Sequence, residues 1–121
     1  MSRYLLPEQL KSNLRLGKSV EQWLGHQQED GYVILKYIAI EKERNGEYSL
    51  LYMEHIDEGN ESFLDIYDFS YVDPDEPAVI NLFDSVEEVL DFALNTYGAS
   101  LDKYVSAGMI QEEYADYLNE R

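Results

Sequence analysis

Tyr32-Val33-Ile34-Leu35-Lys36-Tyr37-Ile38-Ala39-Ile40-Glu41-Lys42-Glu43, with Asn45-Gly46 just beyond it, is the stretch that decides the fold. The run is rich in β-branched and aromatic residues, which suit a pleated, half-buried surface. Asn-Gly is the preferred pair for a type I′ hairpin turn. Residues 47–56 (Glu-Tyr-Ser-Leu-Leu-Tyr-Met-Glu-His-Ile) then read as the returning strand. A polar break over residues 57–61 leads to a third strand-like run over residues 62–72. Short polar joints between three such runs predict an antiparallel meander.

Downstream, Pro74 and Pro77 interrupt the pattern, and residues 78–83 read as a short fourth strand. Ser85 followed by Glu88 is a capping box. Val86, Val89, Leu90, Ala93 and Tyr97 then fall on one face of a helix, which Gly98 ends. Ser100 predicts a cap for a short helix with Leu101, Tyr104 and Val105 inward. Ile110, Tyr114, Tyr117 and Leu118 predict a last amphipathic helix.

Upstream, Pro7 suits the first position of a helix carrying Leu6, Leu10 and Leu14, ended by Gly17. Ser19 predicts the cap of a second short helix through Trp23 and Leu24, stopped near Gly25. The order predicts an α+β domain spanning residues 1–121. Its three- to four-stranded antiparallel meander is flanked by N-terminal and C-terminal helices on one face, in two layers.

Charge is the strongest compositional signal. The 121 residues carry a net charge of −16, and the 45% hydrophobic content is enough for a core. Residues 45–102 hold fifteen acids and no lysine or arginine. Arg3, Lys11, Arg15 and Lys18 make the first 25 residues the basic part of the chain. Such a surface repels nucleic-acid phosphates and anionic lipid, and would steer a basic protein toward it. The charge segregation also allows a homo-oligomer in which the basic start of one copy meets the acids of another. There is no cysteine, no secretory leader pattern and no membrane-length apolar run, which points to the cytoplasm.

Eleven tyrosines give the second signal. Taken as a strand, residues 62–72 would set Leu64, Ile66 and Val72 on one side. Phe63, Asp65, Tyr67, Phe69 and Tyr71 would face the other way. Tyr48, Leu50, Tyr52 and Glu54 would share a side of the strand before it. An open face of tyrosines and acids suits a lysine- or arginine-rich partner. Tyr52, Asp65, Tyr67 and Tyr71 are therefore the candidate anchors, with Asp73, Asp75 and Glu76 as an acidic rim. The alternative reading of the tyrosines is plain strand propensity.

Signals for chemistry are weak. Asp73, Asp75 and Asp84 match positions 1, 3 and 12 of a calcium loop, but Pro77 and Ala78 break the frame, so no metal or cofactor is expected. Asp65 and Asp68 differ in strand parity. His26 and His55 sit in no triad or metal spacing and read as surface or edge residues. Ser100-Leu101-Asp102-Lys103 matches Ser-x-x-Lys without its companion motifs. These features predict a non-catalytic acidic interaction domain, a stoichiometric binder of a basic protein. It is like a bacterial immunity protein in physical type only, since no residue motif supports a family. The alternatives are a small-molecule-binding or enzymatic domain with a pocket between sheet and helices, and a structural subunit of a homo-oligomer.

Overall fold

The computed structural model describes residues 3–120. The elements run α1 (Pro7–Arg15), β1 (Val20–Glu29), β2 (Tyr32–Lys42), β3 (Tyr48–Ile56), β4 (Val79–Phe83), α2 (Val86–Tyr97), β5 (Val105–Ser106) and α3 (Ile110–Glu120). A 3-10 turn at Ile66–Asp68 lies between β3 and β4. The strands form one antiparallel sheet in the order β4-β3-β2-β1-β5. The α+β class, the antiparallel meander and the terminal helices are as the sequence predicts, with five strands rather than three or four.

Three stretches take a different form from their sequence reading, two of them in the sheet. Residues 20–29 form β1 rather than a helix. Val20 through Gln22 are all buried, which alternating side chains achieve between two covered faces. Asp30-Gly31 closes the β1–β2 hairpin, with Glu29 opposite Tyr32. Gly25, at φ +127°, marks a break in register rather than a helix end.

Residues 62–72 are not a third strand. They wrap over the sheet, and the place beside β3 is taken by β4. Asp65 caps the 3-10 turn by accepting from the Tyr67 backbone N–H at 3.2 Å. Ile66 and Phe69, three residues apart, both enter the core. Only the end of the segment keeps strand-like contact with β3: Tyr71 bridges His55, the Ile56 N–H donates to the Ser70 carbonyl at 2.8 Å and the Val72 N–H to the Glu54 carbonyl at 3.2 Å. Phe63, Asp65, Tyr67, Phe69 and Tyr71 therefore do not share a face.

The Asn45-Gly46 hairpin forms, but as a three-residue loop. The Gly46 N–H donates to the Glu43 carbonyl at 3.0 Å, and the Glu43 N–H to the Glu47 carbonyl at 2.7 Å. Gly46 alone is left-handed, at φ +91°. That is a type I turn with a glycine bulge.

The helices divide between the two faces, so there are three layers. On the first face, Leu10 and Leu14 of α1 and Val86, Val89, Leu90 and Ala93 of α2 cover Val20, Ile38, Ile40 and Leu50. Ser85 caps α2 by accepting from the Glu88 N–H at 3.1 Å, and Gly98 ends it at φ +72°. On the second face, Ile110 and Tyr114 of α3 join Ile66 and Phe69 over Leu35 and Tyr37. The expected helix at Ser100 is absent. Tyr104 and Val105 are buried, and Val105 belongs to β5.

Candidate functional site

The second face of the sheet carries most of the polar chemistry. His55 of β3 is fully buried there rather than at the surface. Its ring stacks on Tyr37 of β2 at 5.4 Å, and Tyr71 packs on it at 4.4 Å. The Nδ1–H donates to the Phe69 carbonyl at 3.0 Å, which leaves Nε2 to accept from the Tyr37 hydroxyl at 3.0 Å. Burial lowers the His55 pKa below its ordinary value of 6.5, against the opposing pull of the Phe69 carbonyl. Burial likewise raises the Tyr37 hydroxyl well above the usual tyrosine range, with Tyr71, Glu21, Tyr67 and Asp65 adding to it. The ring is sealed from solvent, and both of its nitrogens are held by protein partners.

Beside this cluster, Tyr67 donates its hydroxyl to the buried carboxylate of Glu21 at 2.5 Å. The Gly108 N–H also donates to Glu21, at 2.9 Å. Burial, then the Glu21 contact, raises the Tyr67 pKa. Its ring meets Tyr37 edge-on at 6.5 Å and stays 40% exposed. Glu21 is a residue that the helical reading of its segment hides. The alternation of Glu21 and Trp23 against Val20 and Gln22 is the signal that exposes it.

From Glu21 a single row crosses four strands: Glu21 opposite Ala39, Ala39 opposite Leu51, and Leu51 opposite Ile80. The α3 helix and the 62–72 segment cover the neighbouring Tyr37 but not the outer end of this row. Ile80 is 59% exposed, and Leu82, also on this face, is 55% exposed. The second face therefore ends in an open apolar strip along β4.

The candidate residues do not form one surface. Asp65, Tyr67 and Tyr71 gather around Tyr37 on the second face. Tyr52 lies on the first face. Its ring stacks on Tyr97 of α2 at 4.6 Å, and its hydroxyl donates to Glu54 at 2.6 Å. Burial, then Glu54, raises its pKa. Asp73 and Glu76 border a small cleft of about 50 Å³ beside Tyr52. Asp73 accepts from the Asp75 N–H at 3.0 Å, so this loop is a turn stabilised by its own side chain. Asp73, Asp75, Glu76 and Asp84 are all exposed, and among the described residues none has an ion-pair partner.

An open groove of about 390 Å³ lies between β1 and α3. Trp23, Tyr117 and His26 form an aromatic floor, with Trp23–Tyr117 at 5.7 Å and His26–Tyr117 at 4.7 Å. Glu113 and Asp116 line one wall, and Arg3 already pairs with them at 2.6 and 2.8 Å. The Ser100-x-x-Lys103 match has no catalytic geometry. Gln22 holds the Ser100 backbone through two hydrogen bonds, and the Lys103 ammonium rests over the Tyr4 ring at 4.7 Å. Among the described residues no group of three or more histidines and carboxylates is placed to hold a metal. No helix of the described residues is long and apolar enough to cross a membrane.

No protein-family model, no curated protein and no solved structure matches this chain.

Proposed function

We propose that the chain is a non-catalytic interaction protein that binds a basic protein partner as a stoichiometric complex. One observation carries this reading. An exposed apolar strip on the second face, Ile80 and Leu82, is bracketed by Asp73, Asp75 and Glu76 before it and Asp84 after it. An apolar centre with a charged, solvated rim is the anatomy of a protein–protein interface. The rim is of one sign, so it selects cationic partners and repels phosphate polymers. Tyr67 lies at the far, Glu21 end of the row that reaches Ile80, and Tyr71 packs on His55, so neither is part of this strip.

The test is the association rate with two basic probes, octalysine and an alternating Lys-Val peptide. On-rates should fall steeply as salt approaches physiological strength, where screening shortens the field to about 8 Å. Replacing Asp73, Asp75 and Glu76 with their amides should slow association further. Binding indifferent to both changes would sink the reading.

The groove between β1 and α3 favours a second reading, a small-molecule site. Trp23 is the sole tryptophan, so its fluorescence would report any ligand seated there.

A further inference from the structure

We propose that the basic partner attaches by adding an extended segment to the free edge of β4, as a sixth strand of the sheet. This deepens the reading above and rests on it. The two ends of the sheet are built differently. At the β1 end, β5 covers Val20 and Glu21, and the remainder carries the break in register at Gly25 and the polar residues His26, Gln27 and Gln28. Bulges and polar side chains are the usual means by which edges are kept from pairing.

β4 has no bulge and no charged side chain. Its sequence is Val-Ile-Asn-Leu-Phe, without lysine or proline, and its pairing with β3 runs unbroken from Val79 to Phe83. Among the described residues no segment pairs with its outer side. Val79, Ile80 and Leu82 stay exposed, at 42%, 59% and 55%. An unpaired strand supplies a row of backbone donors and acceptors, and side chains on alternate positions supply selectivity.

The charge around the strand identifies the occupant. In an antiparallel pairing of two β4 strands, the Asp73-Asp75-Glu76 loop of each copy would lie beside Asp84 of the other. Acid would meet acid at both ends, which disfavours a second copy. A segment with apolar residues against Ile80 and Leu82 and lysine or arginine at its ends satisfies the strip and the rim together.

The experiment uses the alternating Lys-Val octapeptide and the same peptide N-methylated at alternate backbone nitrogens. Methylation removes strand hydrogen bonds and leaves the charge unchanged. The unmodified peptide should slow amide exchange within Val79–Phe83, and methylation should weaken binding about tenfold or more. Leu82→Lys, at an exposed position, should weaken binding similarly while the fold persists by circular dichroism. Equal, salt-sensitive binding of both peptides would overturn strand addition and leave the basic-partner reading standing. So would protection that centres on Tyr67 and Tyr71 instead of β4. Failure of the unmodified peptide to bind at low salt would sink both. A dimer by sedimentation, with β4 protected before any peptide is added, would show that a second copy is the occupant and overturn the proposal.

Discussion

The two faces of the sheet hold their helices by different means. The first is covered by α1 and α2 through Leu10, Leu14, Val20, Ile38, Ile40, Leu50, Val89 and Leu90, an aliphatic layer that needs few polar partners. The second is aromatic and hydrogen-bonded. Tyr37, His55 and the Phe69 carbonyl form one chain, Tyr67 meets Glu21, and the Tyr114 hydroxyl donates to Asp57 at 2.5 Å. An aliphatic layer tolerates small changes of shape, whereas a buried polar network fixes one arrangement and is costly when half broken.

The largest test breaks each face by opposite means. Leu50→Ala opens a cavity on the first face and should cost about 3 kcal/mol. Gly59→Ala overfills the second. An added Cβ would lie 2.5 Å from both the Phe63 carbonyl and the Tyr114 hydroxyl, and against the Phe69 ring. Gly59 needs no left-handed backbone, so the constraint is space alone. A loss of about 3 kcal/mol is expected here too. Urea unfolding measures both, and a neutral Gly59→Ala would show the second face to be more forgiving than its contacts imply.

The same substitution on the two faces gives a smaller contrast. Tyr37→Phe leaves His55 Nε2 buried without its donor and should cost about 1–2 kcal/mol. Tyr104→Phe, beneath the first face, removes a buried hydroxyl that has no hydrogen-bond partner among the described residues. It should leave stability unchanged or raise it by up to about 1 kcal/mol. Equal losses at both sites would erase the distinction.

Between about pH 7.5 and about pH 5, mild acid should act on the second face through a gentler slope. Because folding lowers the His55 pKa, the unfolded chain takes up the proton first as pH falls. The stability contribution is complete above the ordinary value of 6.5 and is lost as pH drops from there through the lower folded value. Unfolding free energies between about pH 7.5 and about pH 5 should decline more for the native protein than for His55→Phe/Tyr37→Phe. Parallel curves would place the titration elsewhere.

How much of this is legible in the chain follows from where independent signals agree. In α2 the Ser85 cap, the Val86-Val89-Leu90-Ala93 spacing and Gly98 point one way, and the helix ends where they say. β2 and β3 are equally plain. Residues 62–72 have the same β-rich composition, yet they do not pair as a strand. Their conformation is set by Ile66 and Phe69 filling the space under α3, a tertiary demand that no local pattern records. In β1 the Ser19 cap signal competes with the Asp30-Gly31 turn, and the turn prevails because it allows burial on both faces. The acidic loop at Asp73-Asp75-Glu76 is legible from its prolines and charge. The exposure of Ile80 and Leu82 is not, because an apolar strand residue reads as core until its neighbours are placed.

The chain's early and late segments are tied together around β5. Tyr4 bridges Val105, the Leu5 N–H donates to the Tyr104 carbonyl at 2.8 Å, and β5 pairs with Val20 and Glu21. The four strands β1 to β4 follow one another as sheet neighbours, with short closures from β1 through β3. The β5 tie instead joins residues about a hundred positions apart. Closing so long a loop costs entropy that its few hydrogen bonds repay only once the meander exists. In folding kinetics this is a late event: the Leu5 and Val105 amides should gain protection after those of β2 and β3, leaving a transient in which the sheet is formed and its ends are not yet fastened.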